Sequence, residues 1–94
     1  MSGMTLSDLR AILAIADKGS FRGAAKALEI AVSSLSHQVA NVEKRVGVRL
    51  FNRTTRSVSL SEAGEALVRH IRPALGQIDA ALEAVDHLRA TSMG

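Results

Sequence analysis

The chain has no cysteine, tryptophan or tyrosine, and a single proline in 94 residues. Without cysteine there are no disulfide staples and no thiolate metal sites, so packing and hydrogen bonds alone must hold the fold. That suits a reducing compartment, and a cytoplasmic protein is the expectation. Aromatic residues make up only 2%, so Phe21 and Phe51 read as core residues and no platform for base stacking is expected. No apolar run approaches the roughly 20 residues of a membrane span, and no signal-peptide pattern opens the chain, so no membrane partner is expected. Catalytic patterns are missing too. There is no Ser/His/Asp arrangement with plausible spacing, no glycine-rich phosphate loop and no metal quartet, and His70 and His87 lie far apart on one helix. An enzyme is not expected, and no catalytic residue, metal ligand or cofactor is assigned.

What is present is a small folded domain. At 47% hydrophobic and 22% charged residues, the composition is that of a soluble globular chain long enough for one core. The net charge of +3 is unevenly placed. Between Lys18 and Arg56 there are eight basic residues (Lys18, Arg22, Lys26, Lys44, Arg45, Arg49, Arg53 and Arg56) against Glu29 and Glu43. From Gly76 onward, Asp79, Glu83 and Asp86 oppose only Arg89. A basic middle and an acidic tail point to a polyanion held by the middle segment.

The apolar spacing predicts four helices. Leu6, Leu9, Leu13 and Ala16 recur at three and four residues, which predicts a helix from Thr5 to Lys18 with Thr5 and Asp8 as a capping pair and Gly19 as its left-handed stop. Ser20 can cap a short second helix that ends near Leu28. In a third helix, ended by Gly47, Leu35, Val39, Val42 and Val46 form a narrow core stripe. Its opposite face carries Ser33, His37, Ala40 and Lys44, flanked by Ser36 and Asn41. Serine is a poor helix former away from caps, so a cluster of them at the start of this helix points to a surface with a task. Val48 to Phe51 and Ser57 to Leu60 read as two strands of a small hairpin, with the basic, hydroxyl-rich tip Asn52 to Arg56 between them. Ser59 or Ser61 can cap a last long helix. Along it Leu67, Ile71, Ala74, Ile78, Ala81, Val85 and Leu88 step by four and three, as in a heptad seam. Pro73 is expected to kink it without ending it, and residues 91–94 are expected to fray.

Three helices followed by a hairpin is the order of a winged helix-turn-helix, whose third helix enters the major groove. Short hydroxyl side chains suit a first turn that must approach base edges closely, and they can donate to or accept from any base. The residues that follow this pattern are Gly19-Ser20-Phe21 with Ala24-Ala25, Leu28, Leu35-Ser36 and Gln38. After them come Glu43, Gly47-Val48-Arg49-Leu50-Phe51, Arg53-Thr54, Arg56 and Leu60-Ser61-Glu62-Ala63-Gly64. Over residues 4–90 this ordered set resembles the N-terminal domain of the LysR-type transcriptional regulators.

The resemblance implies a mainly α fold, with a winged helix-turn-helix over residues 1–60 and a long linker (dimerisation) helix over 61–90. It implies sequence-specific binding of double-stranded DNA, as a homodimer on an interrupted palindrome. Base readout falls to Val32, Ser33, Ser34, Ser36 and His37. Ser20, Arg22, Gln38, Arg53, Thr54 and Arg56 go to the DNA backbone and wing, with a purely structural hydrogen bond as the alternative for Gln38. The dimer interface takes the seam Leu67, Ile71, Ala74, Ile78, Ala81, Val85 and Leu88. A ligand-sensing domain that takes a small co-inducer is absent from these residues, and the full-length bacterial regulator is expected to contact RNA polymerase. Departures from the family pattern fall in the reading turn. Val32 stands for a common glutamine, Ala31 for the usual N-cap, and His37 for a usual arginine. The alternative is a winged-helix interaction module that dimerises without specific DNA binding.

Overall fold

The computed structural model describes residues 3–54 and 57–93. The elements are α1 (Leu6–Lys18), α2 (Phe21–Leu28), α3 (Val32–Val46), β1 (Phe51–Arg53), β2 (Val58–Leu60) and α4 (Glu62–Met93). Among the described residues no helix is long and apolar enough to cross a membrane.

Local sequence accounts for most element ends. The Thr5 hydroxyl accepts from the Asp8 N–H and the Asp8 carboxylate accepts from the Thr5 N–H, a reciprocal capping box that starts α1. Gly19 ends it at φ 70°, and Gly47 ends α3 at φ 76°. The Ser20 hydroxyl accepts from the Gly23 N–H to start α2. The Ser61 hydroxyl does the same for Gly64 at the head of α4, which settles the choice between Ser59 and Ser61. The α2–α3 connection has no glycine, yet Glu29 takes the left-handed conformation at φ 58° and ends α2, its N–H returning to Ala25 and Lys26.

The core joins all the helices and the hairpin. Ile12 and Ile15 of α1, Ala24 and Ala25 of α2, and Leu35, Val39 and Val42 of α3 meet Leu50, Phe51, Val68 and Ile71. The α3 stripe expected from spacing is the one observed, with Val46 half-buried at its end. The two strands pair antiparallel, with Phe51 opposite Leu60 and Arg53 opposite Val58.

Two expectations about the wing need correction. The first strand begins at Phe51, not Val48, because the Leu50 and Phe51 N–H groups turn to the Glu43 carboxylate (2.7 and 3.2 Å) and not to a neighbouring strand. Arg53 therefore closes β1 and does not ride on the tip. The last helix continues through Pro73, as expected, and runs to Met93. The first residues of the seam expected on α4 meet the chain's own body. Val68, Ile71 and Leu75 are buried against the protein's own body with Leu67 packed beside them, whereas Ala74 and Ala81 are exposed. The stripe of large residues is thus Val68, Ile71, Leu75, Ile78, Leu82 and Val85. Its first half belongs to the core, and Leu67 and Ile71 are already in contact within the chain.

Candidate nucleic-acid interface

The first turn of α3 projects the expected short polar side chains. Ser33, Ser34 and His37 are exposed, Ser36 is half-buried, and Val32 is 43% exposed. Ala31, at φ −71° and ψ 145°, has N-cap backbone geometry but no side chain able to accept, and α3 has no side-chain cap. Its first N–H groups are left for solvent or for an anion at the helix N-terminus.

A buried carboxylate fixes the orientation of this turn. Asp8 is only 4% exposed. Its Oδ1 accepts from Gln38 Nε2 (2.9 Å), and its Oδ2 accepts from Arg45 Nη2 (3.1 Å) and from the Thr5 N–H (3.0 Å). Gln38 Nε2 also donates to Ser7 Oγ (3.2 Å), and Arg45 Nη1 donates to the Gly3 carbonyl. Burial pushes the Asp8 pKa up, but the Thr5 N–H and the Gln38, Arg45 and Thr5 side chains together hold it below the ordinary carboxylate value. The Gln38 amide nitrogen is thus engaged inside the fold, in keeping with the structural alternative for this residue. Arg45 likewise leaves the pool of cations open to a ligand.

Between helix and wing the organising group is Glu43, which the sequence did not single out as functional. Its Oε2 accepts from the Leu50 and Phe51 N–H groups, and its Oε1 lies 4.0 Å from Arg53 Nη2. The Arg53 guanidinium stands 4.3 Å from the centroid of Phe21, which itself meets Phe51 edge-on at 6.0 Å. Arg53 is thus held between an aromatic face on α2 and a carboxylate on α3, its side chain still 37% exposed. The available signal was that Glu43 is one of only two acids in a basic stretch.

The remaining expected contacts divide. Arg22 is exposed beside Ser20, whose hydroxyl is engaged as the α2 cap. Thr54 closes the wing, its N–H donating to the Ser57 carbonyl (2.9 Å) and its hydroxyl accepting from the Ser57 N–H (3.0 Å). Arg56 lies outside the described residues. Among the described residues no group of three or more His, Cys, Asp or Glu could hold a metal. The arrangement offers hydrogen-bonding groups on a fixed helix turn, with a cation-bearing wing beside it.

Comparison with known proteins agrees with this geometry. The family model "Bacterial regulatory helix-turn-helix protein, lysR family" matches residues 6–65. The HTH-type transcriptional regulator YcaN of Escherichia coli is 43% identical over 91 residues, covering 97% of this chain and 30% of that protein. The regulator PgrR of the same species is 42% identical over 89 residues, covering 95% and 30%. Among solved structures, the complex titled "Crystal Structure of BenM_DBD/catB site 1 DNA Complex" matches with a TM-score of 0.83 at 29% identity, covering 90% of this chain and 94% of that one. The chain spans about three tenths of the length of these curated relatives.

Proposed function

The chain belongs to the LysR family of bacterial regulatory helix-turn-helix proteins, as its DNA-binding domain, and from that premise we propose that it recognises an interrupted palindrome in double-stranded DNA as a homodimer. The observation that carries the reading is the first turn of α3. Its exposed residues are Val32, Ser33, Ser34 and His37, and the Asp8–Gln38–Arg45 cluster ties that helix to α1. A duplex meeting this surface faces hydroxyls and an imidazole able to contact base edges, and an exposed valine suited to a thymine methyl. Arg22 and Arg53 supply sequence-independent attraction to phosphates. For the full-length regulator we place a small-molecule co-inducer in a sensing domain outside this sequence, a contact with RNA polymerase, and the cytoplasm as the site of action.

Selection of bound DNA from a randomised duplex pool at moderate salt tests the proposal. Enrichment of two half-sites in inverted order is the expected result. Salt-sensitive binding without enrichment would mean that only phosphates are held. No binding at all would leave a dimerisation module.

A further inference from the structure

Past Leu75, α4 leaves the body, and two ion pairs join it to α1 at this point. Arg10 Nη2 meets Asp79 Oδ1 at 2.9 Å, and Arg72 Nη2 meets Asp17 Oδ1 at 2.7 Å. Arg10 and Asp17 stand seven residues apart on α1, as do Arg72 and Asp79 on α4. Each set therefore shares one face over two turns, about 10 Å. The pairing runs antiparallel, and each helix gives one cation and one anion. Between the pairs lies a groove lined by Leu13 and Ala14 of α1 and Leu75 and Gly76 of α4. The stretch of α4 that the pairs span is where it can bend. Pro73 has no N–H to give the Arg69 carbonyl. Gly76 is a poor helix former, and a Cβ added to it would meet nothing within 4 Å. Beyond Asp79, every residue to Thr91 is exposed, and no hydrogen bond or ion pair among the described residues joins that stretch to the rest of the fold.

We propose that this ion-pair ladder locks a hinge at residues 73–76 of α4 and thereby sets which half-site separation the dimer accepts, with Arg10, Asp17, Arg72 and Asp79 as positioning residues. The proposal rests on the reading above of a homodimer on a palindrome, paired through the distal part of α4. The reading helix is tied to α1 through Asp8, Gln38 and Arg45, and the ladder ties α1 to α4. A second copy pairs beyond the hinge, so a bend there turns the whole reading body against its partner. Val68 and Ile71 are buried on the body's side of the hinge and Leu75 within it, which leaves the Arg10 to Asp79 pair as the tie on its far side. Across the 29 Å middle dimension of the molecule, a kink of about 20° swings the far side by about 10 Å, or about three base-pair steps of 3.4 Å. Single exposed pairs hold weakly, which suits a joint that fixes an angle without holding the fold together.

The test is the affinity of the dimer for palindromes whose spacers differ by single base pairs, with a lone half-site as the reference. The parent should lose about ten-fold or more when its best spacer changes by one base pair, since a rigid tether cannot span a displaced site. The double variant Asp17→Asn, Asp79→Asn should lose no more than about three-fold, because a flexible tether spreads its reach. Its half-site affinity and its sedimentation as a dimer should match the parent. Asp17→Arg should flatten the spacer profile in the same way, and adding Arg72→Asp should restore it, which a folding defect would not allow. Asp86→Asn removes a pair that lies within α4 and should keep the parent's profile. A double variant that stays dimeric with the parent's profile would overturn the proposal, as would an exchanged pair that fails to restore it. Equal losses on half-site and palindrome would make the ladder plain support for the fold and overturn it too. If the parent prefers no palindrome to a half-site, the dimeric reading itself falls and takes the ladder with it.

Discussion

At the scale of single residues, the tightest constraint is a missing side chain. A Cβ on Gly64 would overlap the backbone carbonyl oxygen of Leu50, and the Leu60 side chain would lie 3.0 Å away. A carbonyl cannot swing aside as a side-chain end can, so Gly64→Ala must push α4 away from the start of the wing. Overpacking of this kind costs about 1–3 kcal/mol, and a backbone clash belongs at the upper end; urea unfolding of the variant should show a loss of about 3 kcal/mol. His37 carries a different kind of prediction. It is exposed, and no hydrogen bond or ion pair among the described residues involves it, so His37→Ala should leave urea unfolding within about 0.5 kcal/mol of the parent. Its effect should appear in the order of preferred sites when selection is repeated. An unchanged ranking would remove His37 from the reading set.

At the scale of elements, the Asp8 contacts hold α3 while its head goes uncapped, and the two features predict opposite kinds of change. The Asp8 joint to α1 depends on ionisation. Because the folded carboxyl titrates below its unfolded value near 3.9, it contributes stability that is fully present above that value and is lost as pH falls through the folded pKa. Unfolding midpoints from pH 7 to pH 2.5 should therefore fall more steeply below about pH 4 for the parent than for Asp8→Asn, and parallel curves would deny the joint its role. The head of α3 lacks a cap at Ala31, whose backbone already has the extended N-cap geometry. Ala31→Ser should add about 1 kcal/mol of stability by accepting a first-turn N–H, which thermal melts can read. These joints also mark where the sequence stops being legible. The Thr5–Asp8 box, the Ser20 cap and the Gly19 and Gly47 stops could be read directly because each involves residues within four positions. The serine-rich turn could be read for its oddity on a helix. Glu43 taking the Leu50 and Phe51 N–H groups joins two elements across a left-handed turn. No period announces that contact, so β-branched Val48 looked like strand when it was not. Gln38 reaching thirty residues back to Asp8 was beyond local reading for the same reason, and the glutamate stop at Glu29 lacks the glycine that signals its kind.

At the scale of the whole molecule, one helix outruns the body it caps. The molecule measures 53 × 29 × 18 Å, and the 32 residues of α4 span about 48 Å at 1.5 Å per residue. Val68, Ile71 and Leu75 seat its first half, and ion pairs from Arg72 to Asp17 (2.7 Å) and from Arg10 to Asp79 (2.9 Å) bind it to α1. From Gly76 to Thr91 every residue is exposed, yet the same 3–4 stripe runs on through Ile78, Leu82 and Val85, the last two 58% and 63% exposed. Alanines alternate with large neighbours along α4, so spacing alone pointed to Ala74 and Ala81, whereas Leu75 is buried in the core and Leu82 is a large exposed residue. An apolar stripe left in water by its own domain, in heptad phase with the part that is buried, is suited to a second copy of itself. Pairing there would hold two α3 turns at a fixed separation, so the two half-sites should sit a whole number of helical turns apart, in steps of about 10 base pairs. The double variant Leu82→Asp, Val85→Asp places two charges on that stripe and touches nothing in the core, so its thermal melt at low concentration should match the monomer's intrinsic stability. Sedimentation should show the parent as a dimer and the variant as a monomer. Tethering two reading turns is worth about 10²–10⁴ in affinity for a two-site target, so the parent should prefer the full palindrome to a single half-site by about that factor. The variant should keep half-site binding with its salt dependence and lose the preference. A variant that stays dimeric would place the subunit contact elsewhere on the molecule.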